Sequence, residues 1–411
     1  MSAARRIDPA LVVVLAGISA ALHIGKLPPA LPVLRDALGI SLVQAGFLLS
    51  LVQLAGMTLG LAIGAAADSL GARRTMIFGL LIMAVASLLG GWSATPGALM
   101  TLRALEGVGF LLACLPAPGL IRRLVQPARL SAMLGLWGAY MPIGTSVALL
   151  LGPAVIAMSG WPGWWWLLAA LSIVMAVVVR TSVPPDADRA ATQAASSARE
   201  RIVRTVRARG PWLVSLAFAM YSAQWLAVIG FLPTIYAQAG LPAAYTAIAT
   251  ALAAAVNMGG NIASGRLLQR GVSVPVLMHT GYAAMALGAL IAFASWGDDG
   301  TATAVVRYLG VLLFSTVGGL VPGTLFSVAV RAAPDDSTVS STVGWMQQWS
   351  AFGQFVGPPL VAAAAARAGG WHVMWWVTGA FALTGMASAV AIARFLALQQ
   401  RAAAARAGSR S

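Results

Sequence analysis

Charge is scarce in this sequence. Of its 411 residues 9% are charged and 59% apolar, and the mean hydropathy is +0.85. A soluble domain carries about 25% charged residues, so this chain cannot clothe a water-facing surface and a soluble enzyme is excluded. There is a single cysteine, Cys114, inside an apolar run, which excludes an intramolecular disulfide. Lys26 is the one lysine among 26 basic residues. No phosphate-cradling loop with Lys and Ser/Thr occurs, so the sequence offers no ATP-driven step. No His, Cys or carboxylate cluster has metal-ligand spacing, and neither metal nor cofactor is expected.

What the sequence does have is long apolar runs, such as Leu11–Ala21, Leu42–Ala67 and Val373–Ala393. A helix needs about 20 apolar residues to cross the hydrocarbon core. The pattern predicts twelve spans, at 10–34, 42–66, 75–93, 97–121, 130–157, 164–180, 211–236, 244–268, 275–296, 302–330, 339–365 and 372–397. The alternating ten-residue strands of a membrane barrel are missing. Arg5 and Arg6 before an apolar run imitate a secretory signal. Eleven more such runs follow with no polar mature domain, so the run is read as the first span.

Arginine placement sets the expected orientation. Segments on the side of the N-terminus hold twenty-one arginines and the opposite side only Arg35 and Arg367. Both termini are therefore expected in the cytoplasm, and the net charge of +15 needs no nucleic-acid partner. The one long polar stretch, 181–210, divides the chain into an N-terminal half (1–180), a cytoplasmic linker, a C-terminal half (211–400) and a tail (401–411). Within that linker Ala198–Arg209 reads either as a basic amphipathic helix on anionic headgroups or as solvated chain.

The halves repeat. Gly160-Trp161 and Trp165-Trp166 recur as Gly370-Trp371 and Trp375-Trp376, displaced by 210. Gly135 and Gly144 recur as Gly344 and Gly353, and Arg103 and Pro118-Gly119 as Arg307 and Pro322-Gly323, displaced by 209 and 204. Gly39, Met57 and Gly64 recur as Gly240, Met258 and Gly265, displaced by 201. Four sets in matching order at slowly drifting offsets indicate a six-plus-six duplication, the plan of transporters that rock between two states.

Charges inside membrane spans are costly and are functional candidates for that reason. They are Lys26 in span 1, Arg103 and Glu106 in span 4, and Arg307 in span 10. The basic three would attract a small anion, which makes them candidate substrate contacts. Arg103 can instead pair with Glu106, three residues on, and Arg307 can snorkel to headgroups. Glu106 is the only acidic residue in a span interior and the candidate for proton coupling, or half of a structural ion pair. His23, three residues before Lys26, can relay protons or simply be hydrogen-bonded. Gln224 and Trp225 on span 7, and Gln347 and Gln348 on span 11, interrupt apolar runs; cavity lining and helix–helix contact both account for them. Other polar or aromatic candidates are Tyr140, Tyr221, Asn257, Asn261 and Trp349. Trp164–Trp166 and Trp375-Trp376 begin spans and are read as an interfacial aromatic belt.

The loop after span 2 reads GAAADSLGARR from Gly64, with Asp68, Gly71, Arg73 and Arg74. It resembles the signature loop of the major facilitator superfamily, although Ser69 and Ala72 stand where that family usually has basic residues. Arg103, Glu106, Gly107 and Gly109 are similar to the family's fourth-helix motif. Leu115-Pro116-Ala117-Pro118 and the prolines of span 1 resemble the cyanate and nitroimidazole porter group. The resemblance implies an all-α membrane fold of twelve helices in two pseudo-symmetric halves, acting as a monomer. It implies that Gly64, Asp68, Gly71, Arg73 and Arg74 latch the halves on the cytoplasmic side, the alternative being an ordinary positive-inside turn. It implies that spans 1, 4, 7 and 10 line the pathway, and that glycine stripes on spans 2 (Gly56, Gly60, Gly64) and 11 (Gly353, Gly357) slide between halves. Packing within one half is the alternative for those stripes.

The expected function is secondary active transport of a small organic solute, an anion, with protons, across a bacterial inner membrane. Drug or metabolite efflux through the same fold is the alternative. A non-transporting sensor would need a partner-binding domain, and a membrane-embedded enzyme would have only Arg103 with Glu106, a poor nucleophilic set.

Overall fold

Proline, glycine and short polar caps decide where the apolar runs break. In a computed structural model, which describes residues 8–61, 71–186, 191–295, 300–335 and 338–408, the Asp8 side chain caps the first helix by accepting from Ala10 N at 2.9 Å, with Pro9 opening the first turn. That helix, Pro9–Gly25, gives way at Lys26 to Leu27–Leu38. Pro28 and Pro29 follow the break and lack the N–H groups that would continue the ladder. A capping box between Ser41 and Gln44 starts span 2, Leu42–Leu61. Span 3 is Ala72–Gly90, and span 4 is Pro96–Leu124, capped by Thr95.

Pro127–Gly138 and Tyr140–Ser182 carry spans 5 and 6, and the chain reverses at Gly160 (φ 70°, ψ 172°). A left-handed residue of that kind favours glycine. Spans 7 to 10 are Arg209–Gln238, Ala243–Gln269, Val274–Phe293 and Thr301–Ala332. The helices Val339–Ala368 and Met374–Gly408 stand where spans 11 and 12 are expected. Among the described residues ten helices are long and apolar enough to cross a membrane, and there is no strand.

The chain forms two compact units. One comprises Met1–Ser196, Leu226–Ala255 and Pro358–Ala363; the other comprises Ser197–Trp225, Val256–Gly357 and Ala364–Ser411. In the first, Val12, Val13, Met76, Leu80, Met83, Phe110, Ile121 and Val179 form a buried core drawn from spans 1, 3, 4 and 6. Lipid is as apolar as leucine, so close packing rather than the hydrophobic effect must hold such helices together. Gly79 accordingly meets the backbone of span 4 at Gly109 and Ala113, where any Cβ would collide.

In the second unit, Gly353 and Gly357 press against the span 7 backbone at Ala219 and Ala223. These two glycines therefore pack within one half, and the reading of them as a sliding contact between halves is corrected. The linker forms a helix, Ala191–Arg207. Its end is tied to the second unit by Thr205 with Ser341 (2.6 Å), by Arg204 with Asp335 (2.8 Å), and by Trp212 Nε1 donating to Val206 O (2.7 Å).

Candidate functional site

Four of the residues singled out in the sequence converge inside the first unit. His23, Lys26, Arg103 and Glu106 are each at most 2% exposed. The break at Lys26 turns its side chain into the bundle. There Nζ donates to Glu106 Oε1 and to Ser87 Oγ (2.9 Å), stands 3.5 Å from His23 Nδ1, and lies over the Trp165 ring at 4.5 Å. Arg103 Nη1 donates to the other Glu106 oxygen at 2.7 Å and to the His23 carbonyl at 2.6 Å, while Nε reaches Leu48 O at 3.3 Å. His23 Nε2 is 2.9 Å from Ser172 Oγ, and its Nδ1 is 3.7 Å from Glu106 Oε1.

One carboxylate is thus shared between two cations. With the imidazole neutral, the cluster carries one positive charge in excess. The Arg103 Nη2 group is buried and has no hydrogen-bond partner. A buried ion is stable only when paired and hydrogen-bonded, so this cluster holds an excess cation with one donor left idle.

Ser87, Ser172 and Trp165 belong to this cluster and were not singled out as site residues. Ser87 Oγ also donates to the Trp165 carbonyl at 2.9 Å, and Trp164 Nε1 donates to the Lys26 carbonyl at 3.2 Å. Trp164 and Trp165 are 2% and 1% exposed, which corrects their assignment to an interfacial belt. Trp166, on another face of the same helix, and Trp376 are exposed and remain compatible with a belt. Serine in an apolar helix gives no signal in sequence, because it can always return its hydroxyl to its own backbone.

Arg307, Gln224, Trp225, Gln347 and Gln348, with Tyr221, Asn257 and Asn261, lie in the second unit. Tyr221, Asn257 and Asn261 form a network: Asn257 Nδ2 donates to Tyr221 Oη (2.9 Å) and Ser315 O (2.8 Å), and Asn261 Nδ2 donates to Asn257 Oδ1 (3.1 Å). Gln224 is buried, with Nε2 on Met220 O at 3.1 Å and Oε1 unpartnered. Trp225 is buried and its Nε1 has no partner. Gln347 is exposed and Gln348 half-buried. Arg307 is half-buried on Thr301–Gly318. Its repeat lacks the acid that Arg103 has, since Gly310 stands where Glu106 does.

Of the signature loop, Gly64 and Asp68 lie outside the described residues. Gly71 precedes span 3 with φ +89°. The backbone N–H groups of Arg73 and Arg74 donate to the two oxygens of Asp186, each at 3.1 Å, and Arg123 Nη1 joins them at 3.0 Å. The Arg73 guanidinium donates to Arg180 O. Partial burial opposes ionisation of Asp186, yet the two N–H groups and Arg123 outweigh it and hold the carboxyl below its ordinary value. Asp186, from the linker, is the anion that meets the start of span 3.

Comparison with known proteins places this architecture. The chain matches the Major Facilitator Superfamily over residues 10–358. It is 37% identical to the puromycin resistance protein pur8 of Streptomyces alboniger over 134 residues, 32% of this chain and 26% of that protein. It is 26% identical to the cyanate transport protein CynX of Escherichia coli (strain K12) over 243 residues, 59% of this chain and 62% of that one. The chain thus matches less than two thirds of the length of either relative.

Among solved structures it superposes on a bacterial homolog of the human lysosomal transporter Spinster, inward-facing and occupied. There the TM-score is 0.73 at 15% identity, covering 95% of this chain and 96% of that one. A D-xylose-proton symporter gives 0.71 at 15% identity, covering 93% and 96%. At such identity these likenesses establish the fold. With its helices, its internal repeat and the match across most of its length, the chain is a multi-pass membrane protein that belongs to the Major Facilitator Superfamily.

Proposed function

We propose that this protein is a secondary active transporter that moves a small organic anion together with protons by alternating access of two six-helix halves, as a monomer in a bacterial inner membrane with both termini in the cytoplasm. The observation that carries the reading is the idle, buried Arg103 Nη2 beside a carboxylate already shared with Lys26. An anion arriving there takes over one cation from Glu106. A carboxylate that loses a cation partner is free to take a proton, so anion and proton bind in mutual support, as linkage requires. His23, beside both Lys26 and Glu106, is the relay for that proton. Arg307 is assigned a second contact with the anion from the other half, with Gln224, Trp225, Gln347 and Gln348 as polar and aromatic lining. Gly64, Asp68, Gly71, Arg73 and Arg74 are assigned to the cytoplasmic latch. Similarity to a cyanate transport protein supports an anionic solute.

Similarity to a puromycin resistance protein over 134 residues favours a second reading, proton-driven efflux of a drug or metabolite. Proteoliposomes holding a pH dye separate the two. Cyanate and small monocarboxylates should evoke proton flux in the wild type and none in Arg307→Ala. Flux evoked by puromycin or lipophilic cations alone, unchanged in Arg307→Ala, would sink the anion reading.

A further inference from the structure

The linker helix ends where span 7 begins, and its outer face is basic. Only Ala208 separates Ala191–Arg207 from Arg209–Gln238. Arg199, Arg201, Arg204, Arg207 and Arg209 stand in this stretch against one acid, Glu200. The inner side is fixed by contacts with the second unit. Thr205 is buried and bonded to Ser341, while Arg204 pairs with Asp335 at the edge. Gly210 closes the junction, where a Cβ would meet Ala332 O and the Phe395 ring. The end of the helix is thus packed against Leu320–Ala332, Val339–Ala368 and Met374–Gly408.

With the inner side so placed, Arg199, Val203 and Arg207 fall four residues apart on the outer side, and all three are exposed. Val203, 38% exposed, puts an apolar patch between two guanidinium groups. Arg209 is exposed just beyond them, and Glu200 shares this side and offsets one charge.

The aromatic residues beside the junction set the level at which this face stands. Trp212, in the first turn of span 7, is 39% exposed, and its Nε1 donates to Val206 O in the last turn of the linker helix. Its ring meets Trp345 (centroids 5.0 Å) and Trp349 (5.2 Å), and Trp349 meets Phe352 (5.2 Å). Tryptophan concentrates where membrane meets water, because its ring is apolar and its N–H is polar. A basic face tied to such a group stands at headgroup level. Solvated chain would leave Val203 and Trp212 in water, whereas a headgroup layer takes up both the charges and the apolar surface. A guanidinium matches phosphate oxygens bidentately.

We propose that the exposed face of 199–207, through Arg199, Val203 and Arg207, binds the anionic phospholipid headgroups of the adjacent leaflet, with Trp212 anchoring its end at the interface. The inference goes beyond the transport reading and stands whatever the solute.

Hydrogen exchange on the full chain in lipid nanodiscs tests it, with phosphatidylcholine alone or mixed with phosphatidylglycerol. Amides of 199–207 should exchange more slowly when phosphatidylglycerol is present, by about fivefold for each arginine engaged. Salt at about 1 M shortens the screening length to about 3 Å and should remove the difference. Arg199→Gln combined with Arg207→Gln should abolish it, with the unfolding temperature near that of the wild type. Arg367→Gln, exposed in the last turn of Val339–Ala368, should leave it intact. Equal exchange in the two lipids, or a difference that persists in the double variant, overturns the proposal. Equal slowing by millimolar inorganic phosphate in phosphatidylcholine discs would identify a free-anion site and also overturn it.

Discussion

Lys26 Nζ lies 4.5 Å from the centroid of the Trp165 ring, on the far side of the first unit's sequence yet within the same buried cluster. The aromatic face gives the ammonium an electrostatic partner that does not compete for protons, while Ser87 and Glu106 take its hydrogens. The ammonium thus has an aromatic face, a hydroxyl and a carboxylate as partners at once.

Replacing Trp165 tests that support. Trp165→Phe keeps a π face and should cost less than Trp165→Leu, which removes it. The difference should be about 2 kcal/mol, the scale of a desolvated cation–π contact. Thermal unfolding in detergent measures both, and equal losses would remove the cation–π contact from the account.

Glu106→Gln leaves two buried cations without their shared carboxylate. Breaking a buried pair costs about 3–5 kcal/mol, so this variant should lose that much stability. Adding Lys26→Met restores the wild-type net charge, and the double variant should be more stable than the sum of the two single losses predicts. Strict additivity in that cycle would show that Lys26 and Glu106 do not act on each other.

Arg103→Lys keeps the charge and forfeits the idle Nη2 donor. Losing a hydrogen bond to a charged group is worth about 1.5–3 kcal/mol, so the KM for the anion should rise at least tenfold. The maximal rate should fall much less. A variant with an unchanged KM would remove Arg103 from the substrate contact.

Asp186 makes stability depend on pH at the acid end only. Its carboxyl is held below the ordinary value in the folded protein, so its contribution is complete above the unfolded-chain value of about 3.9 and is lost as pH falls through the lower folded value. Between pH 5 and 8 the wild type should show no change from this group. Asp186→Asn should be less stable by about 1 kcal/mol, the scale of a helix cap, and should lose that acid-end dependence. Hydrogen exchange at the start of Ala72–Gly90 would localise the effect.

Much of the site was legible before any fold was known. An ionisable residue in an apolar span is conspicuous because its burial is costly, so Lys26, Arg103 and Glu106 stand out in the sequence. The pairing of Arg103 with Glu106 follows from their spacing of three on a helix. Ser87, Ser172 and Trp165 were not legible, since a serine or a tryptophan in a membrane helix has several ordinary explanations. The Trp164–Trp166 triplet shows the limit well. Its place near the end of a span was correctly seen, but consecutive residues on a helix point about 100° apart. Two of the three turned inward to Lys26 and the lining of span 1.

The sequence by itself determined that this chain is a bundle of apolar helices, that it is internally duplicated, and where along each helix the charges lie. Those properties depend on composition and on spacing along one chain, which local physics reads directly. The tertiary structure alone decided which helix faces meet. It put Lys26 between Glu106 and Trp165, turned Gly353 and Gly357 onto span 7, and filled the Gly71 turn with Asp186. Rotation about a helix axis is fixed by neighbours, and neighbours that come from distant stretches of chain leave no mark on the local pattern.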